Sequence, residues 1–296
     1  MPRPGELIPV DHMVLNIGGG AANVSADLAR LGVGVSIRAK TGDDIFGRFM
    51  VESLEKSNVD ASRMILDPNE TTSQTLIVNV QGEDRRFIHC VGANLAFTPA
   101  DLDEILESPP KILYVGYFLI MKNLDPVGLA ERFARAQAAG TITVLDVATP
   151  GPGSYVEPLR KVLPYTDVFL PNGDEATLIL GESDPRRQAL AFHEMGARRA
   201  IVTLGEHGSV TVSKDFHARI GIYPTKYVDG SGGGDAFVAG YIAGLLDGRS
   251  ELDCLKLASA AGASCVRAVG TTAGVFTRDE ADRFILEHDL PVHPFD

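Results

Sequence analysis

Residues 227–237 read Tyr-Val-Asp-Gly-Ser-Gly-Gly-Gly-Asp-Ala-Phe. Gly232, Gly233 and Gly234 stand directly before Asp235, and an apolar, small-residue helix is predicted over 234–247. Glycines there free the backbone to turn its N–H groups into one concavity. A helix N-terminus adds the positive end of its dipole, so the place suits a phosphate. A carboxylate at the mouth of an anion site is repelled by its occupant unless it has a task. Accepting a proton from an attacking hydroxyl is such a task. The plainer reading is a glycine turn entering a buried helix, with Asp235 as its cap. The glycine density favours phosphate.

Four other clusters carry polar groups at chosen spacings. In Ile17 to Asn23, Gly18 and Gly19 permit close approach of a ligand, and Asn23 offers both a donor and an acceptor, as a sugar hydroxyl requires. Gly18-x-Gly20 opening a helix also resembles a dinucleotide fingerprint. The third glycine position holds Asn23, however, and the next strand ends in Arg38, Ala39 and Lys40 without the expected acid. Asn172-Gly-Asp-Glu175 suits either hydrated magnesium or an N-cap with acids in the first helical turn. Thr203-Leu-Gly-Glu-His-Gly208 reads as a tight turn, with a nucleotide contact as the sharper alternative; His207 reads as solvent-facing. Gly92-Ala-Asn94 either turns Asn94 back over a sheet or simply ends a strand.

The elements that must position these groups follow from the hydrophobic period. Helices are predicted at 20–31 and 46–57, with a strand at 33–39 between them. A hairpin over 75–90 interrupts the alternation, with Leu76, Ile77, Val78 and Val80 on one arm and a turn at 81–84. Beyond about residue 100 the rhythm is regular. Strands are predicted at 111–116, 142–146, 167–170, 199–203 and 208–213. Helices are predicted at 99–106, 126–139, 173–180, 185–195, 251–267 and 277–286 besides 234–247. Such alternation implies an α/β fold with a mostly parallel sheet covered on both faces. Ligands bind beyond the carboxyl ends of strands in these sheets, where Asp146, Asn172 and Thr203 fall.

Composition narrows the class. The 296 residues are 45% hydrophobic, enough for one large core. A net charge of −12 argues against nucleic acid, which demands a basic face. Cys90, Cys254 and Cys265 are odd in number and far apart, so neither a disulfide framework nor a zinc site is expected. No run approaches the roughly 18 apolar residues of a membrane span, and a cytoplasmic setting is expected.

Taken in order, over about residues 3–286, these motifs resemble the ribokinase-like (PfkB) carbohydrate kinase family. Gly18-Gly19 through Asn23 and Leu28-Ala-Arg-Leu-Gly32 are similar to its first signature, and Gly42-Asp43-Asp44-x-x-Gly47 follows. Val228 to Phe237 is similar to its second signature, with Gly230 where Thr is usual and Gly233 where Ala is usual. The resemblance implies a three-layer sandwich spanning 1–296, with a small β lid from about 5–16 and 72–95. It implies ATP-dependent transfer of the γ-phosphoryl group to a sugar hydroxyl, and a possible homodimer through the lid. Asp235 aligns with the catalytic base, and Gly232, Gly233 and Gly234 with the anion hole. Asn172, Thr203, Gly205 and Gly208 would lie along ATP. Gly18, Gly19, Asn23 and Asn94 would contact the acceptor. Glu175 would hold Mg2+ through water, and Asp229 would help hold K+. A nucleoside kinase of the same family, or an impaired sugar- or nucleotide-binding relative, is the alternative. Met1-Pro-Arg-Pro-Gly-Glu stands where the family's Pro-Gly-Glu stretch lies. A first strand and an acceptor-binding Asp, roughly 20–25 residues on the extended reach of a strand plus loop, are therefore expected to be missing.

Overall fold

The computed structural model describes residues 3–10, 13–78, 86–149 and 151–295. The hairpin tip, with Val80 and the turn at 81–84, lies outside the described residues.

The first part of the chain runs α1 (Gly20–Arg30), β1 (Lys40–Gly42), α2 (Ile45–Lys56) and β2 (Ile65–Asp67). The hairpin follows as β3 (Gln74–Val78) and β4 (Arg86–Cys90). Then come α3 (Asp103–Glu107), β5 (Ile112–Val115), α4 (Pro126–Ala138), β6 (Ile142–Leu145), α5 (Val156–Val162) and β7 (Val168–Phe169). The last part runs α6 (Gly173–Leu180), α7 (Pro185–Glu194), β8 (Arg199–Thr203), β9 (Ser209–Ser213) and β10 (His217–Ile220), then α8 (Gly233–Leu246), α9 (Glu251–Cys265), α10 (Arg278–Glu287) and β11 (Val292–Pro294).

Among the described residues the main sheet has the order β11-β10-β9-β8-β7-β6-β5. Strands β5 to β8 are parallel, and β9 to β11 continue antiparallel. Adjacent residues on each central strand face opposite layers. Leu145, Phe169 and Val202 pack with Leu129, Phe133 and Phe192 of α4 and α7. Val144, Val168 and Ile201 pack with α1, α8 and α9 on the other side. Both faces are thus covered, as parallel strands require.

Three expectations need correction. Residues 33–39 form no strand, only a parallel bridge between Ser36 and Asp60. The amide of Ile37 donates to the Asp60 carbonyl at 3.0 Å, and that of Asp60 to the Val35 carbonyl at 3.0 Å. One-sided pairing leaves the segment extended without a full ladder. In 5–16, where lid strands were expected, no described residue is in a strand, and the small sheet is β3 with β4 alone. The helix expected at 99–106 divides into a 3-10 turn, Pro99–Leu102, and α3. Helix α5 and strands β1, β2, β10 and β11 were not foreseen. All three cysteines are free, Cys90 exposed and the others buried. Among the described residues no helix is long and apolar enough to cross a membrane.

The Gly42-Asp43-Asp44-x-x-Gly47 motif acts structurally. Asp44 caps α2 by accepting from the amides of Phe46 and Gly47, at 3.0 and 2.9 Å. Its oxygens also accept from Thr72, the hydroxyl at 2.6 Å and the amide at 2.9 Å. The Thr72 hydroxyl and amide bonds, then those of the cap, pull its carboxyl down to about 2. Gly47 has no room for a side chain, since a Cβ would overlap the Gly42 carbonyl. A depressed carboxylate stabilises the fold above its unfolded pKa near ~4 and loses that effect as pH falls through its folded value. Asp44→Ala is expected to lower unfolding stability by about 2 kcal/mol at pH 7. In urea titrations at successive pH values, the difference between parent and variant should shrink as pH falls from ~4 towards 2.

Candidate active site

Helix α8 is apolar around its whole circumference, and Asp235 to Gly244 are buried. It is pressed against α9 so closely that a Cβ on Gly240 would stand 2.7 Å from the Leu257 carbonyl. Its N-terminus is entered through Gly232, whose φ of 77° lies in the left-handed region. A Cβ there would also overlap the Thr271 carbonyl. Around Gly234 the space is open, while a Cβ on Gly233 would stand 3.1 Å from Cγ1 of Val266. The first-turn amides of a helix lack intrahelical partners, and here that turn is the glycine run.

Asp235 lies in this turn, only 6% exposed. Its Oδ2 accepts from Nδ2 of Asn23 at 2.7 Å and from the Tyr117 hydroxyl at 3.3 Å. Burial raises its carboxyl to about 6, against the lowering effect of those two bonds. A carboxylate so poised exchanges protons readily near neutral pH.

The sequence reading missed Tyr117 and its neighbour Tyr114. Tyr117 follows β5 with a left-handed φ of 58°, a strained choice for a bulky residue. Its ring lies where a Cβ on Gly20 would come within 2.8 Å, so Gly20 is needed to admit the tyrosine. Tyr114 donates to Oδ2 of Asp146 at 3.2 Å, beyond the end of β6. Burial pushes both phenols well above their usual range.

Asn172 and Glu175 form a reciprocal cap at the start of α6. Oδ1 of Asn172 accepts from the Glu175 amide at 2.8 Å, and Oε2 of Glu175 accepts from the Asn172 amide at 2.9 Å. A parallel bridge links Asn172 to Thr203 at the end of β8. The turn after Thr203 depends on Gly205, at φ 56°, and Gly208, at φ 84°. Its closing bond runs from the Leu204 amide to the Gly208 carbonyl at 2.7 Å. His207 is exposed on it.

The remaining expected residues fall in two places. Gly19, at φ 94°, caps α1, and its carbonyl accepts from the Asn23 amide at 3.0 Å; Gly18 is exposed beside it. Asp229 ties loops together, Oδ1 accepting from Ser231 and Oδ2 from the Gly270 amide at 3.1 Å. Asn94 is on a 3-10 turn held to the Thr71 carbonyl by the Ala93 amide at 2.8 Å.

The electrostatics of the strand ends favour a cation. Burial raises Glu175 to about 7, with Asp235 adding to it. Burial, then Glu175 and Asp235, lifts Asp146 well above the carboxylate range. Among the described residues no group of three or more His, Cys, Asp or Glu has direct-ligand geometry. Oxygen donors of this kind are the type a hydrated magnesium ion takes.

A glycine-led helix N-terminus, a buried carboxyl beside it and acidic groups beyond the ends of parallel strands thus occur on one α/β scaffold. The pfkB family carbohydrate kinase model matches residues 2–278, and the chain belongs to that family. It is therefore a phosphotransferase with an alcohol group as acceptor. It is 25% identical over 289 residues to the ribokinase of Staphylococcus aureus, covering 95% of this chain and 92% of that protein. Its fold is that of ribokinase structures. A candidate Ribokinase II from E. coli in complex with ATP and Mg2+ superposes with TM-score 0.80 at 24% identity, covering 95% of this chain and 94% of that one. Arabidopsis thaliana ribokinase complexed with ribose and ATP gives TM-score 0.82 at 22% identity, with 96% and 92% covered.

The glycine turn yields a paired prediction. Gly232→Ala combines a disfavoured φ with a backbone overlap and should cost about 1–3 kcal/mol or more. Gly234→Ala meets open space and should stay within about 1 kcal/mol of the parent. Urea unfolding of both variants checks the contrast.

Proposed function

We propose that the protein transfers the γ-phosphoryl group of ATP to a hydroxyl of a small carbohydrate, with Asp235 as general base. The observation that carries this is a buried carboxyl, held by Asn23 and Tyr117, at the N-terminus of a glycine-led helix. Asp235 takes the proton of the attacking hydroxyl. The amides of Gly232, Gly233 and Gly234 stabilise charge developing on the transferred group. Asn23 and Tyr117 hold the carboxylate in register through Oδ2. Asn172, Thr203, Gly205 and Gly208 line the nucleotide. Gly18, Gly19 and Asn94 border the acceptor. Asn172 and Glu175 would hold Mg2+ through its waters, and the ion when bound neutralises phosphate charge. Asp229, which already ties two loops, is the proposed K+ contact.

The hairpin β3–β4 is proposed as the lid and dimer surface. Leu76, Ile77 and Ile88 on it are exposed, as are Leu7, Ile8 and Val10 of the N-terminal segment. Apolar surface of that kind favours a partner. Sedimentation velocity should find a dimer, and Ile77→Asp should shift it towards monomer.

ADP release across a panel of pentoses, hexoses, ketodeoxy acids and nucleosides tests the function and names the acceptor. Asp235→Asn should lower kcat by about 10²–10⁴-fold with ATP affinity retained. Parental turnover in that variant sinks the base assignment. The parent's kcat/KM should fall as pH drops through about 6, where Asp235 gains its proton. Tyr117→Phe removes a donor to the charged form, so the acid limb should move to higher pH.

A further inference from the structure

Asp27 is a buried acid that the transfer chemistry leaves unused. It sits on α1 four residues after Asn23, so the two side chains share one face, a turn apart. Its side chain is fully buried. Neither of its carboxylate oxygens has a hydrogen-bond partner among the described residues, and Oδ1 of Asn23 has none either. Three neighbouring acceptor atoms therefore lack a donor. A buried carboxylate in that position answers by taking a proton, because the charged form carries the larger desolvation cost.

The groups facing Asp27 agree. They are Asp235 from α8, Arg30 from its own helix and Cys265 from α9. Burial, then Asp235, raises the Asp27 carboxyl to about 8, with Arg30 opposing. The Arg30 guanidinium donates to the Val275 carbonyl. Burial pushes the Cys265 thiol up to about 12, and its Sγ contacts the Ser231 and Thr271 carbonyls at 3.4 and 3.2 Å. Cys265 is thus a neutral donor already engaged elsewhere.

We propose that Asp27 is a positioning residue, held as a neutral acid whose proton is donated to Oδ1 of Asn23, locking the Asn23 amide with Nδ2 on Asp235. The lock matters because the Asn23 amide has two ends. Turned over, it would aim Oδ1 at a carboxylate oxygen, and acceptor would face acceptor. A donor behind Oδ1 forbids that turn. Loss of the Asp27 proton reverses the effect. A second charge then faces both Oδ1 of Asn23 and the Asp235 carboxylate, and turnover falls on the alkaline side.

The proposal rests on Asp235 as the base, and its test separates the two. Carbon-13 NMR of protein labelled at the aspartate carboxyls, with Asp27 assigned through Asp27→Asn, should find that carboxyl titrating near pH 8. This reading needs no turnover and stands even if Asp235→Asn proves fully active. In kinetics, Asp27→Leu keeps the branched shape at Cγ and removes the donor. Its kcat should drop about tenfold or more through misplacement of the base, with the KM for ATP unchanged. Asp27→Asn supplies an amide donor in place of the acid. It should restore most of that loss and abolish the alkaline decline near pH 8. Three results would each overturn the proposal: an Asp27 carboxyl in the ordinary range, an Asn variant as impaired as the Leu variant, or an unchanged alkaline limb in Asp27→Asn.

Discussion

The site is organised around keeping the Asp235 carboxylate out of water at the start of a helix that is itself buried on every side. Desolvation pushes the group towards neutrality, at a cost of several kcal/mol in principle. Two side-chain hydrogen bonds and the N-terminal dipole pull the other way. The outcome near pH 6 leaves a carboxyl that neither holds its proton firmly nor refuses it. Its surroundings are constrained to match. Gly20 has no side chain, so the Tyr117 ring can lie against it. Tyr117 accepts a left-handed backbone and places its hydroxyl on Oδ2. Gly232 accepts another, so that the chain enters α8 without striking Thr271.

Asp44 makes the comparison that separates chemistry from scaffold. It too stands at the start of a helix in a glycine-bearing motif, yet its carboxyl is pulled down to about 2. The difference is solvent and donors. Asp44 keeps access to water and accepts four bonds. Asp235 is sealed and accepts two. A carboxylate with every lone pair satisfied is a fastener. One that is under-satisfied and buried is available for proton transfer.

Much of this was legible in the residues. Glycines before Asp235 and Asn23 announce turns, and apolar strands of four or five residues announce a parallel sheet with a site at its ends. Tyr117 was not legible. A tyrosine after a strand has no diagnostic spacing, its left-handed φ leaves no mark on composition, and its partner is 118 residues away. Residues 33–39 look like a strand because Val33, Val35 and Ile37 alternate, but alternation reports burial of one face and not a partner on each side. Strand β11 was missed because its ladder joins segments more than 70 residues apart, whereas β10 pairs locally with β9 across a short turn and is too short to show a period. Asp27 carried a signal that went unused: with Val24, Leu28 and Leu31 it lies on the buried side of α1, where an acid is out of place unless something needs it.

Helix α1 also explains why the two glycine loops cannot be treated as separate sites. Its Asn23 reaches Asp235, and its Arg30 reaches the Val275 carbonyl. Just before it, the Ile17 carbonyl accepts from the Thr271 hydroxyl at 3.3 Å. The Gly270 amide, next to Thr271, bonds Asp229, which shapes the turn leading into α8. The loop proposed for the acceptor and the loop proposed for phosphate therefore share a single set of bonds across 17–30 and 229–275. A substrate that displaces Gly18 or Gly19 strains the same network that holds the Asp235 carboxylate. In such an arrangement a poor acceptor is penalised in turnover as well as in binding, because the base is aligned only when the acceptor loop is.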